Sequence, residues 1–391
     1  MNIAINETIS DLINIGFQLL DPDMTEQPLE ALASVITMDP TAADAHYNLG
    51  LALSKCGREH EALDEYLEAL RLDPQSADTH NALGILFEEF GEHDRAMAHY
   101  DKAIEVDGHS SAGYLNRAVL YKERGQFESA VQDFRRAAEL DPTDSGILVD
   151  LARTYKKLND FDQAVTVLRT AIAVNPYDDD AWNSLGHTLL YKFDQVEEAI
   201  EAFDRAISIV QENSDAWFNL GSAYGQQDSH FRAIEAYGQA SKLDPECADA
   251  IYNLGLEFRL VGEYEAAICA YLKAIDLKPD DAEIHLDLGI ALDYADRVDE
   301  ALISVQTAIR LDPGLARAYN SLGVILAQLD RRHDAIRAYR ESIRLAPDRG
   351  TTYCNLANSL EELGQNEEAA AARRTATELG DEDALERIGP L

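Results

Sequence analysis

Apolar residues return along this chain at the offsets of a helix. Around Trp217 the residues Leu220, Tyr224, Ala233, Tyr237 and Ala240 fall three or four apart in two separate stretches. That spacing places each set on one helix face and predicts two amphipathic helices with a short turn between them. The pattern is not local. Turn marks, mostly Asp-Pro, stand at Pro40, Pro74, Gly108, Pro142, Pro176, Gln211, Pro245, Pro279, Pro313 and Pro347, eight steps of 34 residues and one of 35. A fixed period of this length is the signature of a repeat architecture.

Position 1 is taken as the third residue after each mark. Position 8 is then Gly or Ala in every unit, from Gly50 and Gly84 to Ala357, and position 20 is Ala throughout, from Ala62 to Ala369. Position 24 is a large ring in Tyr66, Tyr100, Phe134, Phe203, Tyr237, Tyr271 and Tyr339. Small residues at 8 and 20 let two helix backbones approach, and the ring at 24 fills the space beside them. The closing proline cannot continue the second helix.

Trp217, Leu220, Gly221, Tyr224, Ala233, Tyr237, Ala240 and Pro245 carry a resemblance to the tetratricopeptide repeat family, position by position. It implies an all-α, right-handed α-solenoid of about eleven helix-turn-helix repeats. Ten tandem units are expected over 43–383, starting at 43, 77, 111, 145, 179, 214, 248, 282, 316 and 350, with a tail at 384–391. Residues 1–42 read as an irregular capping repeat, as terminal repeats must face water. There Leu12, Ile15, Gly16 and Leu19 fit a first helix, while Pro28 at the alanine position predicts a late, short second helix. Two departures lie further on. An extra residue between Leu189 and Ala199 predicts a longer turn near Lys192–Asp194. Arg117 stands where leucine is usual, so its stem should cover the core while its head reaches solvent or an acid.

Composition narrows the function. The chain has 391 residues and a net charge of −39, from 72 acidic and 33 basic side chains. Such a field repels nucleic acid and anionic lipid. Only 9 of the bases are Lys, and 39 of the acids are Asp. A high-salt habitat, where repulsion is screened, would favour that surface; so would a basic partner. No run of 18 apolar residues predicts a membrane span. Met1–Phe17 carries Glu7 and Asp11 but no base, which does not fit a secretory signal. A cytoplasmic location follows as an expectation. Cys56, Cys247, Cys269 and Cys354 are far apart and read as free thiols.

No phosphate-binding glycine loop, HExxH, EF-hand or nucleophile elbow occurs, so neither catalytic residues, metal ligands nor a cofactor are expected. Asp178-Asp179-Asp180 precedes a helix and reads first as a cap, with metal binding the alternative. His46, His80 and His285 occupy the position of Trp182 and Trp217, which makes them packing residues. Arg331, Arg332, Arg337, Arg340 and Arg344 form either a solvated stripe or a docking patch.

The family resemblance implies that first helices line a concave groove, with positions 2, 5, 6, 9 and 13 facing a ligand. Position 6 is short and polar in nine of ten units: Asn48, Asn116, Asp150, Ser184, Asn219, Asn253, Asp287, Ser321 and Asn355, with Ala82 the exception. These are mediocre helix formers, so propensity does not select them. An Asn amide offers both a donor and an acceptor to a main-chain amide. The row therefore forms either a ladder that grips an extended chain or a set of bonds to neighbouring helices. It resembles the asparagine-lined superhelix of the O-GlcNAc transferase repeat region, without a transferase domain. Position 2 is acidic in Asp44, Asp78, Asp180, Asp215, Asp249 and Glu283, which helix-dipole complementarity alone explains. Position 5 holds no base, against a clamp for a C-terminal carboxylate. The expected function is a non-catalytic scaffold or adaptor binding protein or peptide segments, preferably basic. Self-association into a stacked structural assembly is the alternative.

Overall fold

A computed structural model describes residues 26–380, which hold 21 helices and no strand. They divide into two compact units, one ending at Thr188 and the other beginning at Leu189. The first contains α1 (Glu26–Met38), α2 (Ala43–Lys55), α3 (Glu59–Leu72), α4 (Ala77–Glu89) and α5 (His93–Val106). It continues through α6 (Ser111–Glu123), α7 (Phe127–Leu140), α8 (Ser145–Lys157), α9 (Phe161–Val174) and the start of α10 (Asp179–Phe193). The second contains the end of α10, α11 (Val196–Ile209), α12 (Ser214–Gln226), α13 (His230–Leu243), α14 (Ala248–Leu260) and α15 (Tyr264–Leu277). It is completed by α16 (Ala282–Tyr294), α17 (Val298–Leu311), α18 (Ala316–Gln328), α19 (Arg332–Leu345), α20 (Gly350–Glu362) and α21 (Asn366–Glu378).

Within each unit the helices pair in sequence order. The first helices α2, α4, α6, α8, α12, α14, α16, α18 and α20 each pack on their own second helix and on the second helix before it. Successive first helices also touch, as α2 with α4, α4 with α6, α14 with α16 and α16 with α18. First helices therefore form the inner layer of each unit, and second helices pack outside them.

The turns have local causes. Inside a pair, Arg58 N–H reaches back to Leu53 carbonyl at 2.9 Å, closing the helix end over Gly57 at φ 70°. This is the 6→1 closure that needs a left-handed residue, and Gly, Asn or Asp supplies it in every described pair. Between pairs the Asp of Asp-Pro accepts the N–H two residues on. Asp73 takes it from Gln75 at 3.0 Å, Asp141 from Thr143 at 3.1 Å and Asp244 from Glu246 at 3.0 Å. An Asx turn around a proline stops one helix and launches the next.

The core follows the repeat. Position-20 alanines such as Ala62, Ala96, Ala233 and Ala335 are fully buried, as are the rings of Tyr100, Phe134 and Phe203. A Cβ added to Gly221 would lie 2.8 Å from the ring of Tyr237, and one on Gly255 would lie 2.8 Å from that of Tyr271. Where position 8 is alanine, the residue at 24 lacks the tyrosine hydroxyl: Ala118 shares its unit with Phe134 and Ala152 with Leu168.

Helix α1 is described from Glu26, one residue later than the 34-residue register of α3 and α5 would place it, and spans 13 residues against their 14. One expectation needs correction: the extra residue after Leu189 does not lengthen the turn. Helix α10 runs 15 residues to Phe193, and Gln195 N–H closes on Leu189 carbonyl at 3.1 Å, one residue wider than the usual closure. Extending the helix keeps backbone groups bonded that a longer loop would expose. The first-helix residues Leu12, Ile15, Gly16 and Leu19 and the tail lie outside the described residues.

Candidate functional site

Within each unit the inner layer presents position 6 on successive first helices, and these positions are not uniform. Asn116 in α6 donates its amide to Asn81 Oδ1 in α4 at 2.9 Å, and Asn355 in α20 donates to Asn320 Oδ1 in α18 at 3.1 Å. Asp287 in α16 accepts from the Tyr252 hydroxyl in α14 at 2.7 Å. All three bonds join position 5 of one pair to position 6 of the next. Asp150 instead accepts from Lys122 Nζ in α6 at 2.9 Å. In these four units the polar residue ties successive first helices together, and its removal would leave the partner group unsatisfied.

The others differ. Asn48, Asn253 and Ser321 are half-buried and make no side-chain hydrogen bond among the described residues. Ser184 is buried, with its carbonyl accepting from Thr188 Oγ1 at 2.8 Å. Asn219 is buried and bonded. The sequence row is thus a mixture of helix-to-helix ties and amides with spare capacity. The missed partners were Asn81, Tyr252 and Asn320. Their signal was available: a polar group at position 5, 35 residues before the position-6 side chain it meets.

Asp287 is the most buried member, 1% exposed. Arg317 Nη2 stands 3.5 Å from it and Arg259 Nη2 4.0 Å. Burial raises the Tyr252 phenol pKa, and its bond to Asp287 raises it further. The hydroxyl therefore stays a donor to the carboxylate.

Position 2 lies in the first turn of the same helices. Asp180 pairs with Arg153 at 2.5 Å, Asp249 with Lys278 at 2.7 Å and Glu283 with Arg317 at 2.8 Å. Asp44, Asp78 and Asp215 are exposed and make no ion pair among the described residues.

The residues set aside from chemistry behave as packing and capping groups. Trp182 Nε1 donates to Pro176 carbonyl at 3.0 Å and Trp217 Nε1 to Gln211 carbonyl at 2.9 Å. His285 Nε2 lies 3.0 Å from Pro279 carbonyl and His46 Nε2 3.4 Å from Pro40 carbonyl. Imidazole thus takes the indole's place, bonding the turn mark six residues earlier. His80 Nδ1 meets His99 Nδ1 at 3.1 Å. Asp178 Oδ1 accepts Ala181 N–H at 2.9 Å as the cap of α10. Each arginine of the α19 cluster is ion-paired: Arg331 and Arg337 to Asp334, Arg332 to Glu362, Arg340 to Glu368, Arg344 to Glu341. Arg117 forks onto Asp133 at 2.7 and 2.9 Å and reaches Asp101 at 2.7 Å. Among the described residues no helix is long and apolar enough to cross a membrane. Nor do three or more His, Cys, Asp or Glu side chains cluster as a metal site there.

Models of the tetratricopeptide repeat match residues 41–108, 81–145, 121–186, 188–228, 214–247, 255–292, 286–350 and 350–379. No curated protein matches the sequence. Among solved structures, a chain of the APC/C hetero-tetramer Cut9-Hcn1 is 13% identical, with a TM-score of 0.50. The match covers 98% of this chain and 96% of that one. The MamA protein is 28% identical over 44% of this chain and 94% of its own, with a TM-score of 0.41. YrrB, a TPR protein with an unusual peptide-binding site, is 24% identical over 46% of this chain and 93% of its own, with a TM-score of 0.43.

Proposed function

This chain belongs to the tetratricopeptide repeat family, and from that premise we propose that it is a non-catalytic scaffold holding an extended polypeptide along its first-helix face. The carrying observation is the divided position-6 row. Asn116, Asp150, Asp287 and Asn355 brace neighbouring helices, while Asn48, Asn253 and Ser321 are half-buried with donors and acceptors to spare. The latter set, with Ser184 and Asn219 at the same repeat position, is the proposed contact with ligand main chain. Exposed Asp44, Asp78 and Asp215 at the starts of first helices favour a basic ligand over nucleic acid, whose phosphates the net charge repels.

The division makes the test sharp. A pull-down from native lysate at matched salt supplies a ligand segment for calorimetry. Asn253→Ala should weaken its binding about 2- to 12-fold, the equivalent of one net hydrogen bond, at unchanged melting temperature. Asn116→Ala and Asn355→Ala should instead lower the melting temperature, since each leaves a partner amide unsatisfied. Wild-type affinity in Asn253→Ala would overturn the assignment of the inner face.

A further inference from the structure

Between α4 and α6 the inner face opens into a cavity of about 460 Å³. Its walls are aliphatic and aromatic: Ile85, 41% exposed despite its size, Val119, and the buried ring of Tyr100. Three carboxylates stand on it, Glu88, Glu89 and Glu123. Glu88 accepts the Tyr100 hydroxyl at 2.8 Å, and none of the three makes an ion pair among the described residues. The bases close to it in sequence are turned elsewhere: Lys122 to Asp150, Arg124 to Asp94, and Arg95 to Glu92 while stacked over Phe87. His93 is the one titratable nitrogen on the lining.

Resting on the reading that the inner face holds an extended polypeptide, we infer that this cavity seats a lysine or arginine side chain of that polypeptide. A long basic side chain is amphipathic, with an apolar stem and a charged head. Here the stem lies against Ile85 and Val119 and the head meets the carboxylates, so both halves find a complement. A small cation would gain nothing from the aliphatic walls. Burial raises the Tyr100 pKa first, its bond to Glu88 next, and then the charges of Glu88, Glu123 and Glu89. Asn116 of the position-6 row also lines the cavity. Main chain running along the row therefore passes within a side chain's reach of it.

The test uses the whole chain with methyl-labelled Ile and Val, the Ile85 signal being assigned through Ile85→Leu. It is titrated with Ac-Gly-Lys-Gly-NH2 and with the norleucine and glutamate counterparts. The lysine probe should shift the Ile85 and Val119 methyls saturably, at roughly fivefold or more tighter affinity than norleucine, and the glutamate probe should leave them in place. Glu88→Gln with Glu89→Gln and Glu123→Gln should weaken lysine binding about tenfold, in line with three partly exposed ion pairs. The Glu88→Gln substitution retains a carbonyl to accept the Tyr100 hydroxyl, so the fold is kept. Equal binding of norleucine and lysine, or an unchanged lysine response in the triple variant, would overturn the assignment. So would a saturable shift with magnesium chloride at constant ionic strength, since it would make the cavity a cation site. The Asn253 result is read on another repeat with another ligand, so the cavity and the groove fail separately.

Discussion

The tightest residue-level constraint lies where position 8 faces position 24. Alanine at Gly221 would gain about 0.5–1 kcal/mol of helix propensity. Its Cβ would also stand 2.8 Å from the Tyr237 ring, which is 4% exposed and hydrogen-bonded to Ser222 at 3.0 Å. Overpacking of this kind costs about 1–3 kcal/mol, so the clash wins and Gly221→Ala should lower stability. Adding Tyr237→Leu, which copies the Ala152 and Leu168 combination, should recover part of the loss. Chemical denaturation of the two variants checks this, and a stabilised single variant would contradict it. This register is legible in the sequence because it is steric and repeats in every unit. The position-6 row is only half legible. Its short polar character shows in the sequence, but whether Asn116 braces Asn81 or faces solvent depends on a residue 35 places away and on helix spacing. No single-helix pattern encodes that.

At the scale of helices, α4 and α5 are joined by an imidazole pair. Burial lowers the pKa of His80; its bond to Pro74 carbonyl and the charge of Glu105 oppose that, and Lys102 adds to it. His99 is pushed down to about 4 by burial first, then by the charges of His80 and Arg95. Above pH about 6.5, the ordinary histidine value, both states of the protein are neutral here and no stability is lost. As pH falls from there towards about 4 the unfolded chain takes up a proton that the folded chain refuses, so stability drops and then levels off. His99→Gln keeps a donor for His80 and cannot titrate. The melting temperature of wild type should therefore fall relative to His99→Gln between pH about 6.5 and about 4, and parallel curves would remove the pair as a cause. Helix boundaries show why some of this escaped the sequence. The Asp-Pro marks fix where second helices end. The inserted residue beyond Leu189 had two outlets, turn or helix, and backbone hydrogen bonding favoured the helix.

At the scale of the whole molecule the charge dominates. With 72 acidic and 33 basic side chains, self-repulsion should weaken the fold at low ionic strength and salt should relieve it. The surface ion pairs, many between residues three apart on one helix such as Arg58 with Glu61 and Arg344 with Glu341, are worth little singly. Screening of repulsion should therefore prevail, and the melting temperature should climb as salt rises towards the molar range. A falling curve would assign the acidity to ligand binding instead. Contacts in a linear array run between neighbours in sequence, so unfolding need not be a single step. The turn bonds of Trp182 and Trp217 then acquire an optical meaning. The chain has only these two tryptophans; one lies in the unit ending at Thr188 and the other in the unit beginning at Leu189. Each indole is tethered to a turn carbonyl that breaks away when its repeat opens. Trp182→Phe and Trp217→Phe thus leave one fluorophore apiece, and their emission during denaturation would read the two halves as separate channels.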